Sequence, residues 1–222
     1  MITIGITGQN GFIGKHLYNL IGLLPESYSL FDFQKDSFEN ETQLDSFVSK
    51  CDVIVHLAAM NRHSDPEVIY NTNIELVEKL VVSLERTNSS AHVIMSSSSQ
   101  EEKDNLYGRS KKKGRELFLN WESNSKGKFS GLIIPNVFGP FGKPNYNSVV
   151  ATFCHKITTG EKPEIHEDGT LGLIYVGELV QEILTVIEKG TSHEKLTIDA
   201  TSHIKVSEIL TLLNSFKIQY QD

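Results

Sequence analysis

Ile2-Thr3-Ile4-Gly5-Ile6-Thr7-Gly8-Gln9-Asn10-Gly11-Phe12-Ile13-Gly14 follows the initial methionine, and its reading decides the fold. Ile2–Thr7 is a short apolar run closed by a glycine turn, as in a strand buried on both faces. From Phe12 to Leu24 the apolar residues recur at helical spacing. The glycines between the two have separate uses. One permits a tight turn, one lets backbone approach a diphosphate, and one lets the helix pack closely on the strand. The unpaired N–H groups and the positive end of the helix then face an anion. A glycine-rich turn alone says little. Placed between a strand and a helix, this one predicts a dinucleotide cradle of Gly8, Gln9, Asn10, Gly11, Phe12, Ile13 and Gly14.

Outward from the loop, short apolar runs alternate with longer helical patterns. Tyr28–Phe33, Val53–Leu57, His92–Ser96 and Leu132–Ile134 read as further buried strands, and Leu171–Val176 and Lys195–Ile198 as later ones. Helices are expected over Phe12–Leu24, Val68–Leu84, Leu106–Trp121, Gly177–Glu188 and Val206–Leu213. Repeated strand–helix alternation means a parallel sheet with helices on both faces, a doubly wound α/β architecture of the Rossmann kind. The turn-rich stretch Pro135–Pro144 marks where the chain leaves the sheet. The expected organisation is a dinucleotide-binding core over 1–135 and a small substrate-side segment over 136–222, interleaved with the core.

Composition narrows the function classes. With 39% hydrophobic and 22% charged residues the chain is neither disordered nor fibrous. A net charge of −7 disfavours nucleic acid as a partner. The expectation is also of no membrane, since no apolar run approaches the roughly 20 residues of a span. Two cysteines, Cys51 and Cys154, make no disulfide framework and fit a reduced, cytoplasmic setting. The eight histidines show no ligand spacing, so no metal is expected.

Asp32 lies 18 residues after Gly14, about where an acid would bind the adenosine ribose. Alone it favours NAD by repelling a 2′-phosphate. Lys35 could neutralise that phosphate, which leaves NAD and NADP both open; the plainer alternative is that both are ordinary loop charges. Tyr107 and Lys111, four apart, share one face of a helix after the fourth strand. A phenol with a pKa of about 10 is a poor acid or base at neutral pH, and a nearby ammonium lowers that value. A serine at the end of Met95-Ser96-Ser97-Ser98-Ser99 could hold a substrate oxygen against the tyrosine.

These motifs resemble the extended short-chain dehydrogenase/reductase superfamily, the NAD-dependent epimerase/dehydratase family of nucleotide-sugar enzymes. The resemblance runs from Met1 to about Leu213. His56-Leu57-Ala58-Ala59 is similar to the family's His-x-Ala-Ala, where small residues let adenine and ribose lie close. Thr72-Asn73-Ile74 resembles its Thr-Asn-Val, and Pro135-Asn136-Val137-Phe138-Gly139-Pro140 the stretch beside the nicotinamide. The resemblance implies Ser98 as catalytic serine, with Ser97 and Ser99 as neighbouring registers, Tyr107 as general acid/base and Lys111 as ribose-binding tuner. It adds Leu57, Ala58, Ala59, Asn73, Pro135 and Val137 to the cofactor site, and it implies a homodimer. Gly142-Lys143-Pro144-Asn145-Tyr146-Asn147-Ser148 is similar, more narrowly, to bacterial capsule-synthesis reductases that use NADP and act on a UDP-linked 4-keto-6-deoxy amino sugar. Asn136, Asn145, Tyr146 and Asn147 would then bind substrate.

Three departures stand out. Ile133-Ile134 replace an arginine common in relatives, and Tyr175-Val176-Gly177-Glu178 has lost a carboxylate. The chain also ends at Asp222, before the cupin domain of the capsule reductases, so either a truncated substrate-side segment or a short relative is expected. No Asp-Glu pair directly follows Ser98, which argues against a dehydratase. An epimerase that retains NAD stays open, as does a noncatalytic NAD(P)-binding redox sensor, though a sensor needs no proton donor. Arg109, Lys112, Lys113 and Arg115 are expected on a solvated helix face. Phe118 and Trp121, at helical spacing, are expected in a core or interface.

Overall fold

The computed structural model describes residues 1–220, with the side chain of Lys35 outside the described part. Contacts divide the chain into two compact units, Met1–Ile134 with Val180–Ile198, and Pro135–Leu179 with Asp199–Asp222. In the first, strands β1 (Ile2–Thr7), β2 (Tyr28–Phe31), β3 (Val53–His56), β4 (His92–Ser98), β5 (Lys128–Ile134) and β8 (His193–Thr197) form one sheet in the order β2-β1-β3-β4-β5-β8. Every neighbouring pair is parallel. The chain goes from β1 to β2 on one side and returns to β3 on the other. The order therefore reverses between β1 and β3, and ligands of such sheets bind in the crevice at the carboxyl ends of those strands.

Helices α1 (Phe12–Gly22), α2 (Glu41–Lys50), α3 (Pro66–Arg86) and α4 (Leu106–Ser123) follow successive strands. Asn40, Asp65 and Asn105 cap α2, α3 and α4 by accepting from Gln43 N, Glu67 N and Gly108 N. Such caps satisfy N–H groups that the helix itself leaves unpaired. The core between α2, α3, α4 and the sheet is rich in aromatic residues. Phe118 and Trp121 lie within it, as expected from their spacing, and Phe118 stacks on Phe129 with ring centroids 5.4 Å apart.

In the second unit β6 (Asn136–Phe138) pairs in parallel with β7 (Thr170–Tyr175), which pairs antiparallel with β9 (Ser202–Lys205). Between β6 and β7 comes α5 (Val149–Thr158), and α7 (Val206–Tyr220) follows β9. Phe153, Leu173, Val206 and Ile209 form its core. α6 (Val176–Lys189) begins in this unit, and its residues from Val180 onward belong to the first.

Several expected boundaries move. β2 stops at Phe31, so Asp32 follows the strand, and β5 starts at Lys128 rather than Leu132. Helix α7 runs past Leu213 to Tyr220. α2 and α5 were not anticipated, although Asn40 with Gln43 reads as a capping pair and Leu44, Phe47 and Val48 are its buried stripe. Among the described residues no helix is long and apolar enough to cross a membrane. Replacing Phe118 by Ala should cost about 3–5 kcal/mol in urea unfolding, because the ring is fully buried between helix and sheet. A loss below 1 kcal/mol would contradict this packing.

Candidate functional site

The turn after β1 is built by close backbone approach. Gly8 has φ +80, and a Cβ there would lie 2.8 Å from Ala58 N. A Cβ on Gly14 would lie 2.2 Å from the Gly8 carbonyl oxygen. Gly11 is the N-cap of α1 and offers no side-chain cap, unlike the capping residues of α2, α3 and α4. The first N–H groups of α1 thus open on the switch point with no side chain of the cap between. A diphosphate fits such a backbone-lined, positively polarised turn.

Gln9 has a structural share in this turn, since its Oε1 accepts from Phe33 N at 3.1 Å and ties the loop to the end of β2. Asp32 lies beside it, and Tyr18 Oη of α1 donates to Asp32 Oδ1 at 2.9 Å. That bond orients a carboxylate left exposed past the strand end. Leu57, Ala58 and Ala59 follow β3 directly, and Leu57 N donates to Thr7 O at 3.0 Å, which brings the two strand ends together.

The second cluster sits at the end of β4 and the start of α4. Lys111 is buried, and its Nζ donates to the Ser96 carbonyl at 3.0 Å while lying 5.8 Å from the Tyr107 ring centroid. Burial pushes the Lys111 ammonium down to about 8, against the opposing pull of Glu101. Ser98 is the last residue of β4, and its Oγ accepts from Gln100 N at 3.2 Å, starting a 3-10 turn over Ser99–Glu102. That turn abuts α4, because a Cβ on Gly108 would come within 1.9 Å of Gln100 O.

Asn73 of α3 braces the arrangement. Its Nδ2 donates to Met60 O at 3.1 Å and to Ser110 Oγ at 3.0 Å, and its Oδ1 accepts from Met60 N at 2.7 Å. Both halves of the carboxamide are thus committed to protein. His56 is fully buried, with Nδ1 2.8 Å from Thr7 Oγ1. Burial, with the Lys111 charge second, brings its pKa down to about 3. Sequence reasoning missed Ser96, Ser110 and Thr7 as partners, since a carbonyl or hydroxyl bridge leaves no spacing signal. Arg115 departs from the expected solvated face: it is buried, paired with Glu101.

The remaining expected residues lie in the second unit. Pro135 precedes β6, and Asn136 and Val137 are on it, with Asn136 Nδ2 donating to Gly172 O at 3.2 Å. Asn145, Tyr146 and Asn147 lie in the loop before α5. Asn145 takes φ 55 and donates its N–H to Thr152 Oγ1 at 2.9 Å, and Lys143 Nζ is 5.2 Å from the Tyr146 ring centroid. Among the described residues no cluster of three His, Cys, Asp or Glu could hold a metal.

Residues 4–198 match the NAD dependent epimerase/dehydratase family. The chain is 31% identical over 216 residues to the UDP-2-acetamido-2,6-beta-L-arabino-hexul-4-ose reductase of Pseudomonas aeruginosa, covering 96% of this chain and 57% of that one. It is similar in structure to the capsular polysaccharide assembling protein CapF of Staphylococcus aureus, with TM-score 0.79 and 31% identity, covering 97% of this chain and 58% of the other. UDP-glucose 4-epimerase of Thermotoga maritima, solved with UDP-glucose, gives TM-score 0.86 at 22% identity over 100% of this chain and 84% of its own, a likeness of fold alone. The chain spans a little over half the length of the curated relative it matches.

His56 sets a pH dependence. Its pKa falls from 6.5 to about 3 on folding, so between these values the unfolded chain binds the extra proton. Its contribution is whole above pH 6.5 and is lost as pH falls toward 3, at up to about 1.4 kcal/mol per pH unit. Urea unfolding of His56→Asn should show a shallower decline over pH 6.5–4 than the parent. Equal slopes would contradict a neutral, buried imidazole.

Proposed function

The chain belongs to the NAD dependent epimerase/dehydratase family, and on that premise we propose that it reduces a keto group on a UDP-linked 6-deoxy amino sugar, using NAD(P)H. The observation that carries this reading is the seat of Lys111, a buried ammonium beside the Tyr107 ring at the end of the strand that carries Ser98. A site that only binds a cofactor could use the ammonium for the ribose but needs no phenol beside it as a proton donor. The reductase relative at 31% identity supports the substrate class, and the likeness to CapF supports a role in capsule or surface polysaccharide synthesis.

In this reading the glycine turn Gly8–Gly14 and the start of α1 hold the diphosphate, and Asp32 binds the adenosine ribose beside Leu57, Ala58 and Ala59. Lys111 reaches the nicotinamide ribose, with Pro135 and Val137 at the nicotinamide. Asn73 acts by bracing α4 through Ser110. When bound, NAD(P)H supplies the hydride that the keto carbon accepts. Ser98 Oγ holds the carbonyl oxygen, and Tyr107 Oη gives its proton to that oxygen as negative charge develops there. Lys111 stabilises the phenolate left on Tyr107 until solvent returns the proton. Asn136, Asn145, Tyr146 and Asn147 contact the nucleotide sugar. The products are the alcohol and oxidised cofactor.

Reduction consumes one NAD(P)H for each sugar, so absorbance at 340 nm should fall in step with alcohol formed. An epimerase would convert sugar with no net absorbance change, and that result would overturn the proposal. Tyr107→Phe should lower turnover about 10²–10⁴-fold while NAD(P)H binding is kept. Turnover within threefold of the parent would remove Tyr107 from its role.

A further inference from the structure

A buried charge cluster lies under the turn that follows β4. The Glu101 side chain is 3% exposed and the Arg115 side chain 9%. Arg115 Nε lies 3.3 and 3.2 Å from the two Glu101 oxygens, and Nη2 lies 3.1 Å from Oε2. Glu101 Oε1 also accepts from Ser97 Oγ. Arg115 Nη1 reaches the exposed Glu194 of β8 at 3.3 Å. Tyr107, Lys111 and Arg115 stand at four-residue steps and so share one face of α4. Glu101 therefore fastens the turn over Ser99–Glu102 to the face that carries the phenol and the ammonium. The same turn donates to Ser98 Oγ from Gln100 N and rests its Gln100 carbonyl on Gly108.

Stability alone does not account for this pair. Desolvating two charges costs about what their attraction returns, and an apolar pair of similar volume would serve as well. The charge is useful beside Lys111. That ammonium contacts the Ser96 carbonyl on β4 and lies near the Tyr107 ring on its own helix, and the neutral His56 on β3 and the Glu101 carboxylate act on it through space. Glu101 itself is held by Arg115 and by Ser97, the strand residue next to the Ser96 whose carbonyl accepts from Lys111. Among these groups Glu101 is the anion that opposes the effect of burial on Lys111.

We propose that Glu101 is a positioning residue, anchored by Arg115: its buried carboxylate supplies the counter-charge to the Lys111 ammonium and fixes the turn after Ser98 against α4. The catalytic use of this device rests on the proposed function, but its existence does not. It also takes Glu101 out of any acid–base role, since its oxygens are held by Arg115 and Ser97.

The test is direct titration of the Lys111 amine by NMR of lysine-labelled protein, with the resonance assigned by its loss in Lys111→Met. Glu101→Gln removes the anion and leaves a guanidinium nearby, so the Lys111 midpoint should fall by about one pH unit or more. Arg115→Gln leaves the carboxylate unopposed, so the midpoint should rise. General loosening would instead move both variants upward, toward the ordinary lysine value of about 10.4. Two upward shifts, or no shift in either, would overturn the proposal. Should Glu101→Gln fail to fold, Glu101→Gln/Arg115→Gln removes both charges and leaves neither unpaired. Its midpoint should lie below that of Arg115→Gln alone, and equal midpoints would overturn the proposal. The alkaline limb of kcat/KM should follow the NMR midpoint in each variant. Shifted midpoints with an unmoved limb would uphold Glu101 as the counter-charge and count against the assigned role of Lys111.

Discussion

A methyl group on Gly14 would stand 2.2 Å from the carbonyl oxygen of Gly8, and one on Gly8 would stand 2.8 Å from Ala58 N. The end of β1, the start of α1 and the end of β3 are thus packed backbone to backbone, with no room for a side chain among them. The constraint has a direct consequence. It brings uncapped N–H groups of α1 to the point where the sheet order reverses, which is where a parallel sheet binds a ligand. It also fixes where β3 ends, and with it Leu57, Ala58 and Ala59. The tie from Gln9 to Phe33 then sets the end of β2, where Asp32 and Tyr18 meet.

The second half of the candidate site depends on satisfied polar groups rather than on close backbone. Lys111, Asn73, Ser110, His56 and Arg115 are all buried, and each has a hydrogen-bond partner. A buried polar network whose members are each paired favours one arrangement, because an alternative that breaks a pair leaves a buried donor or acceptor without its partner. This holds Tyr107 and Lys111 on a helix face whose position is set from α3 through Asn73, and from the turn after β4 through Glu101. The same buried environment lowers the proton affinity of both groups, bringing the Lys111 ammonium down to about 8 and keeping His56 neutral.

The parallel sheet and the glycine turn were legible because each leaves a local signal: apolar runs of strand length, and glycines where backbone must pass closely. Tyr107 and Lys111 were legible by their helical spacing. The roles of Ser96, Thr7 and Ser110 were not, because a hydroxyl or carbonyl partner is recruited from an element distant in sequence and carries no periodicity. Arg115 reads as one more charge in a basic run, and its burial depends on a carboxylate 14 residues away and on a glycine, Gly131, where a Cβ would lie 2.8 Å from the Arg115 Cδ. α2 escaped because its apolar stripe is short, three buried residues in ten, although Asn40 and Gln43 marked its start. Strands β6 and β9 are three and four residues long, too short for alternation to show.

The central claim is that the backbone turn at the end of β1 holds a dinucleotide. Its most direct test is titration of NADPH and NADH fluorescence with the purified protein, beside Gly14→Ala. Saturable binding of one cofactor per chain is expected for the parent, weakened at least tenfold in Gly14→Ala, where the added methyl must displace the Gly8 carbonyl. Absence of saturable binding, or equal affinity in the parent and Gly14→Ala, would contradict the account.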